Sequence, residues 1–531
     1  MTGNRFKQFF TTVLRPERLT PVAQAKQHIM VKSLIIKILI TAFFLLFILS
    51  LINRKPNVDD AWLGEHAFWQ EKLGYVKSEL MHGITSVEDR LLCHHKLFTL
   101  HGALFINFFG YSLSTLKSVS LVYLVIFICL YYFNTTRKIF SRQDFLVALL
   151  LLISNSLIFE FSFVYRPEIA VMTLGFISWL FIEKALKNDR LYFSALSGLF
   201  AGLCFSTHLN GIIFFIAGYI LLLWNKKFRQ SFIFGLSALA GILVYFYDFT
   251  QEYNFSFWLE QIKQSPSLDH LTGSSFAGKY IINILNEHMR FFHGPAEVTF
   301  SVLLITSLFF AHKHLHAHIN LQRYTILLVV FLALFSVHKT SKYIILYLPY
   351  LITLMTLSFK NIFDNGELSV INSGKSLVKY MRHFTVVFTL IYIAVNSYYD
   401  INITSEKFNA SENRNLVKTY IGNETDELSV IAPMTFIFNE ILNFRSIQSE
   451  LCYSELQKSD KTIYQEGLLK LAIKNGIDYI ILSEEFINKF GINNLSYSDF
   501  TRNNFEVVFQ DNNLIILKYN NHNLSHFNFS I

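Results

Sequence analysis

The sequence predicts a mainly α, polytopic membrane bundle of about eleven spans, an external juxtamembrane loop and a small C-terminal α/β domain. Three observations predict it. Only 16% of the 531 residues are charged and 52% are hydrophobic, whereas an ordinary soluble domain carries about 25% charged residues. Apolar runs of roughly spanning length recur along most of the chain. From about residue 401 the composition turns rich in Asn, Ser, Glu and Lys, and short apolar runs alternate with helical patterns. Together these exclude a soluble enzyme, a disordered scaffold and a disulfide framework. The net charge of +8, from 46 Lys+Arg against 38 Asp+Glu, is read as membrane-loop charge. Nucleic acid is not an expected partner, because basic residues of membrane proteins collect in cytoplasmic loops.

Residues 1–33 form a basic N-terminal segment with no pattern of a cleavable signal peptide. The membrane domain covers 34–400, with spans near 34–52, 116–134, 145–165, 169–186, 192–207, 211–224, 230–248, 297–311, 324–337, 342–359 and 384–399. Basic clusters lie in the N-terminal segment, at Arg137, Lys138 and Arg142, around Lys184, Lys187 and Arg190, at Lys226, Lys227 and Arg229, and in 360–383. Threading the spans puts them all on one side, which is therefore cytoplasmic. The opposite side receives the long loop 53–115, tight turns near 166–168, 208–210 and 338–342, the loop 249–296 and the domain 401–531. In that domain strands are expected at 428–431, 479–482, 505–509 and 514–517, with helices at 412–421 and 463–475. Asp511-Asn512-Asn513 makes a hairpin turn. Cys93 and Cys452 both fall on the external side, so a disulfide between them is geometrically possible. No internal repeat is present.

The informative residues are strongly polar ones at span ends on the external face. Asp59 and Asp60 follow the first span, which is either a solvated loop or a pair of working carboxylates. Tyr165-Arg166-Pro167-Glu168 sits between two spans with almost no loop. There Arg166 either snorkels to water or meets an anion. His208-Leu209-Asn210-Gly211 forms another hairpin, a plain polar turn unless its side chains bind. His338, Lys339, Lys342 and Tyr343 put two lysines outside, against the positive-inside preference, which suggests an anion there. His94, His95 and Lys96 precede an apolar stretch ending at Gly110. Acids beside a basic cluster on one membrane face describe a site for an anionic substrate that also needs a proton acceptor. His312, His314, His316 and His318 alternate in a cytoplasmic loop without a carboxylate or Cys beside them, so no metal is expected there.

These pieces, in this order, resemble the membrane glycosyltransferases of the GT-C superfamily. They are most like the dolichyl-phosphate-mannose protein mannosyltransferase and bacterial aminoarabinose lipid A transferase groups. Asp59-Asp60 stands where the family commonly has Asp-Glu after the first span. Lys96 and Gly110 match its Lys and Gly around a juxtamembrane helix, although the Pro many members have after that Lys is missing. Arg166-Pro167-Glu168 matches its Arg-Pro-Asp/Glu turn, and His208-Leu209-Asn210-Gly211 a turn ending in Asn-Gly. Lys342, Tyr343 and Pro349 match a late Lys-Tyr…Pro element. The resemblance covers roughly residues 34–360.

It implies transfer of a sugar from a polyprenyl-phosphate donor to an acceptor hydroxyl at the external face, with inversion. Asp59 would be the base, with Asp60 second. Lys96, Arg166, Lys339, Lys342 and Tyr343 would bind donor phosphate, and Glu168, His208, Asn210 and His338 would line the substrate site. No cofactor or metal is implied. The acceptor is a glycan, lipid or protein, and the lipid bilayer of a bacterial inner membrane is the expected setting. A lipid or glycan flippase and a non-catalytic scaffold are the rival classes. A flippase would be expected to show repeat symmetry or helices broken at mid-membrane.

Overall fold

The computed structural model describes residues 21–263, 276–311, 314–336, 339–364 and 375–520. His338 and His312 lie outside the described residues, whereas the other three histidines of that loop fall in the 3-10 turn His314–His318. Each run read as a span is helical over most of its length. The helices are α1 (Pro21–Ser50), α2 (Val58–Leu73), α3 (Lys96–Phe109), α4 (Leu113–Lys138), α5 (Arg142–Ile153), α6 (Ser156–Phe161) and α7 (Glu168–Lys187). They continue as α8 (Leu191–Thr207), α9 (Ile212–Trp224), α10 (Phe228–Leu243), α11 (Pro295–Ala311), α12 (Ile319–Phe335), α13 (Leu348–Asp364) and α14 (Lys375–Ser405).

Among the described residues, 6 helices are long and apolar enough to cross a bilayer, and Ile281–Phe291 with α11, a pair bent by 100°, makes up to 7. The helices Lys96–Phe109, Leu191–Thr207, Leu209–Trp224 and Leu348–Phe363 are apolar but shorter. Two expected spans change shape. The run 145–165 breaks at Ser154 and Asn155, where the buried Asn396 carboxamide oxygen accepts Ser156 N–H at 2.9 Å. A break at such depth persists only if a side chain answers the freed backbone donor. The run from 342 opens as a 3-10 turn, Ser341–Leu346, before α13, so Lys342 and Tyr343 lie in a connecting turn.

Small residues set how closely the helices approach. Gly198 and Gly202 on α8 face Phe234 and Ala238 on α10, and a Cβ on either glycine would strike the facing backbone carbonyl. Ser206 Oγ then donates to Gly241 O at 2.8 Å. This contact pins the end of α8 and the turn His208–Gly211 that follows.

The C-terminal domain is a 5-stranded sheet in the order β2-β1-β3-β5-β4, formed by β1 (Ser429–Ala432), β2 (Ser446–Ser449), β3 (Tyr479–Ser483), β4 (Phe505–Gln510) and β5 (Leu514–Tyr519). The pairs β1–β2 and β1–β3 are parallel, whereas β3–β5 and β4–β5 are antiparallel. The hairpin at Asp511–Asn513 forms, with Asp511 Oδ1 accepting Asn513 N–H and Leu514 N–H. Strand β2 was not foreseen. The domain packs through Met434, Phe436 and Phe438 onto Ala61, Leu63 and Phe68 of α2.

Between them lies the loop that follows α2, wound around Glu65, which accepts from Ser78 Oγ (2.6 Å), Glu79 N–H (2.7 Å), Leu80 N–H (3.1 Å) and Trp69 Nε1 (3.2 Å). Ser449 N–H bonds Leu80 O at 3.0 Å, joining loop to sheet. All four cysteines are free thiols. The pairing considered for Cys93 and Cys452 is absent, and Cys452 Sγ donates instead to His82 O.

Candidate active site

The first turn of α2 divides the two acids by geometry. Neighbouring helical residues point about 100° apart. Asn57 is the N-cap, and Asp60 completes a capping box by accepting Asn57 N–H at 2.7 Å. The other oxygen of Asp60 accepts Tyr165 N–H at 2.5 Å, and Lys117 Nζ stands 3.4 Å from its carboxylate. Asp60 is fully buried. Asp60, expected as a reserve base, thus caps α2 with one oxygen and ties that helix to the turn before α7 with the other. Asp59 points the other way, is about a quarter exposed, and forms an ion pair with Arg166 Nη1.

Three elements fix the Arg166 turn. Asp60 holds Tyr165 N–H, Ser120 Oγ of α4 donates to Val164 O at 2.6 Å, and the Tyr165 ring stacks on Phe98 of α3 at 4.5 Å. Arg166 is thus presented with one edge on Glu168, through Nε at 3.2 Å and Nη2 at 2.7 Å, and Nη1 toward Asp59. Glu168 is buried, and Arg166 nearly so. Glu168 therefore orients the guanidinium, which is a narrower role than the substrate contact expected of it.

Lys342 has no hydrogen bond or ion pair among the described residues. Burial and the nearby Arg166 lower its ammonium below the usual lysine range, opposed by Glu168 and Glu160. Its ring neighbour is Tyr343, 5.8 Å from Nζ. Tyr343 meets His208 edge-on at 5.5 Å, and His208 stacks on His95 at 4.6 Å. The Nδ1 of His208 accepts Asn210 N–H at 3.0 Å; this backbone contact, not the Asn210 side chain, is what shapes the turn. Burial depresses both imidazoles, His95 to about 4 and His208 well below the usual range, so both are neutral near pH 7.

Two of the expected phosphate ligands are already occupied. Lys96, with no exposed surface, lies 2.7 Å from both oxygens of Asp248 and is ringed by Tyr245, Tyr247 and Phe249. A lysine desolvated to this degree needs a carboxylate partner. Burial lowers it to about 8, against the pull of Asp248. Lys339 Nζ bonds Glu287 Oε2 at 3.0 Å and the carbonyls of Ala333 and Ser336. Glu287 also holds Arg290, whose Nη1 donates to Thr340 O at 2.6 Å. This network closes the turn before Lys342. Lys96 and Lys339 thus hold loops in place. Asp248 was missed because it ends an apolar run read as a span, and Glu287 and Arg290 because they lie in the long loop 249–296 with no motif around them.

The remaining groups close a circuit. Asp59 joins Arg166 and Glu168, which lie beside Lys342 and Tyr343. Tyr343 meets His208, and His208 meets His95. The adjacent His94 ring faces His66 at 6.1 Å, and His66 meets Trp62 at 5.3 Å. Trp62 lies one helical turn from Asp59.

Residues 98–247 match the family described as dolichyl-phosphate-mannose-protein mannosyltransferase. A comparison with curated proteins gives no significant match. Among solved structures, apo ArnT from Cupriavidus metallidurans is similar at a TM-score of 0.54 and 10% identity, over 90% of this chain and 97% of that one. ArnT bound to undecaprenyl phosphate is similar at 0.52 and 11%, over the same 90% and 97%. The Archaeoglobus fulgidus oligosaccharyltransferase AglB, in complex with an inhibitory peptide and a dolichol-phosphate, is similar at 0.52 and 11%, over 84% of this chain and 69% of that one. The many helices, the loop after α2 and the small C-terminal sheet thus assemble into a fold like that of ArnT and AglB.

Proposed function

We propose that the chain transfers a sugar from a polyprenyl-phosphate donor to an acceptor hydroxyl at the external face of a bacterial inner membrane, with inversion. The observation that carries this reading is the grouping of Asp59, Arg166, Glu168 and Lys342, which has no ion pair among the described residues, beside one turn. The ligands of the structural neighbours, undecaprenyl phosphate in ArnT and dolichol-phosphate in AglB, support a lipid phosphate as the donor class.

The chemistry follows from charge. A glycosyl phosphodiester carries one negative charge and leaves as a phosphate monoester with two. The acceptor oxygen bonds to the anomeric carbon as the carbon–phosphate-oxygen bond breaks, and the hydroxyl proton passes to Asp59. A single displacement inverts the carbon. Arg166 offers Nη1 to the phosphate while Glu168 keeps its other edge fixed, which frees Asp59 from its ion pair to act as base. Lys342 needs no partner exchange and meets the new charge directly. A well-placed donor of this kind is worth about 2.7–4 kcal/mol in the transition state.

A flippase for a lipid phosphate would also need a cation at this turn, but neither a flippase nor a scaffold would need a base or transfer a sugar. The deciding experiment is transfer of radiolabelled sugar from polyprenyl phosphate by membranes carrying wild type or Lys342→Met. A loss of about 10²-fold or more supports transfer, and full activity in the variant removes Lys342 from the mechanism.

A further inference from the structure

The half of the circuit opposite Arg166 has a different chemical character. Asp59, Trp62 and His66 fall at i, i+3 and i+7 on α2, which places them on one face of the helix. Trp62 Nε1 and both ring nitrogens of His66 are buried without a hydrogen-bond partner among the described residues. Three such atoms on adjacent side chains are unusual, because buried polar atoms are ordinarily bonded. His94 does not answer them. Its Nδ1 bonds Thr99 Oγ1 at 3.2 Å, and its Nε2, turned toward Asp248 Oδ2 at 3.6 Å, likewise has no hydrogen-bond partner among the described residues.

We infer that Trp62 and His66 form the acceptor wall of the site and that the acceptor they recognise is a saccharide. The inference rests on the glycosyltransferase reading above and names the substrate class of that same site.

A neutral imidazole presents one donor and one acceptor, which is what a sugar hydroxyl requires of its partner. Burial and the neighbouring His94, His95 and Lys96 keep His66 neutral. The indole adds an N–H donor beside an apolar face suited to the C–H face of a pyranose. Nothing on this wall is charged except Asp59 at its end, so an anionic group finds its partners only on the Arg166 side. A peptide acceptor is held largely through main-chain bonds, and α2 spends its own N–H and C=O groups within the helix. A saccharide seated on Trp62 and His66 would bring one hydroxyl to Asp59, one turn away.

The test uses the full chain in lipid nanodiscs, supplied with a panel of polyprenyl-phosphate hexoses and pentoses. The acceptors are p-nitrophenyl glycosides and, separately, a serine-containing hexapeptide. Wild type is expected to glycosylate a glycoside and not the peptide. Trp62→Phe, which keeps the ring and removes the N–H, and His66→Phe are expected to raise the glycoside KM by tenfold or more while the donor KM stays within twofold. Transfer to the peptide, donor consumption without transfer to any glycoside, or an unchanged acceptor KM in both variants overturns the inference. A wild type that consumes no donor at all overturns the glycosyltransferase reading itself, a distinct result.

Discussion

Arg166 carries Asp59 on one nitrogen and Glu168 on the opposite edge, at 2.7 Å. The two carboxylates come from helices far apart in sequence, and only one of them is buried. That asymmetry sorts their roles: Glu168 fixes the guanidinium, and Asp59 is the partner that can be exchanged.

Arg166→Lys should therefore be far worse than a conservative change. It keeps a charge but cannot hold Glu168 and reach a phosphate together. A fall in kcat of about 10²-fold or more is expected, with normal insertion measured by membrane extraction and protease mapping. Glu168→Gln should lose less, because the guanidinium stays charged and only its orientation loosens.

Lys96 and Asp248 are a matched buried pair, so either single change leaves an uncompensated charge. Lys96→Met and Asp248→Asn should each cost about 3–5 kcal/mol, read as a lower Tm of the purified chain. The double variant should regain much of that loss. If Lys96 served the donor instead, Lys96→Met would raise donor KM at an unchanged Tm.

Glu65 gives the loop after α2 a pH dependence. Burial pushes its carboxyl up to about 7, against the four bonds it accepts. A folded pKa above the unfolded one means the folded state holds its proton more tightly. Its contribution is therefore fully present below about 4.5 and is lost as pH rises through about 7. With the intrinsic pH dependence of amide exchange divided out, protection across residues 75–91 should be higher at pH 5 than at pH 8. Glu65→Gln should flatten that difference, and an equal slope in the variant would place the titration elsewhere.

Gly202 allows α8 to touch the backbone of α10. Gly202→Val should drive them apart, displace the His208 turn and lower Tm. A solvent-facing control such as Lys187→Ala should leave Tm within about a degree, since changes at exposed sites are usually small.

Much of this was legible in the sequence because membrane solvation writes itself into composition. Apolar runs found the helices, and the polar turns at 165–168 and 208–211 proved to converge. The cations were harder. Lys96, Lys339 and Lys342 look alike in sequence, yet Lys96 meets an acid 152 residues away and Lys339 one 52 residues away, whereas Lys342 stays open. Which lysine is neutralised is decided by loop folding, which carries no periodic signal. Strand β2 was invisible for a related reason. Ser446-Ile447-Gln448-Ser449 is short and polar, and it is a strand because β1 offers it a parallel edge. The adjacency of Asp59 and Asp60 suggested a shared role, but the capping box separates them.

The central claim is that Asp59 takes the acceptor proton while Arg166 and Lys342 take the phosphate. Its most direct test is Asp59→Asn in nanodiscs, measuring both polyprenyl-phosphate-sugar binding and single-turnover transfer. Donor binding at least as tight as wild type, with transfer slowed about 10²–10⁴-fold, is the predicted result. Undiminished transfer would contradict it.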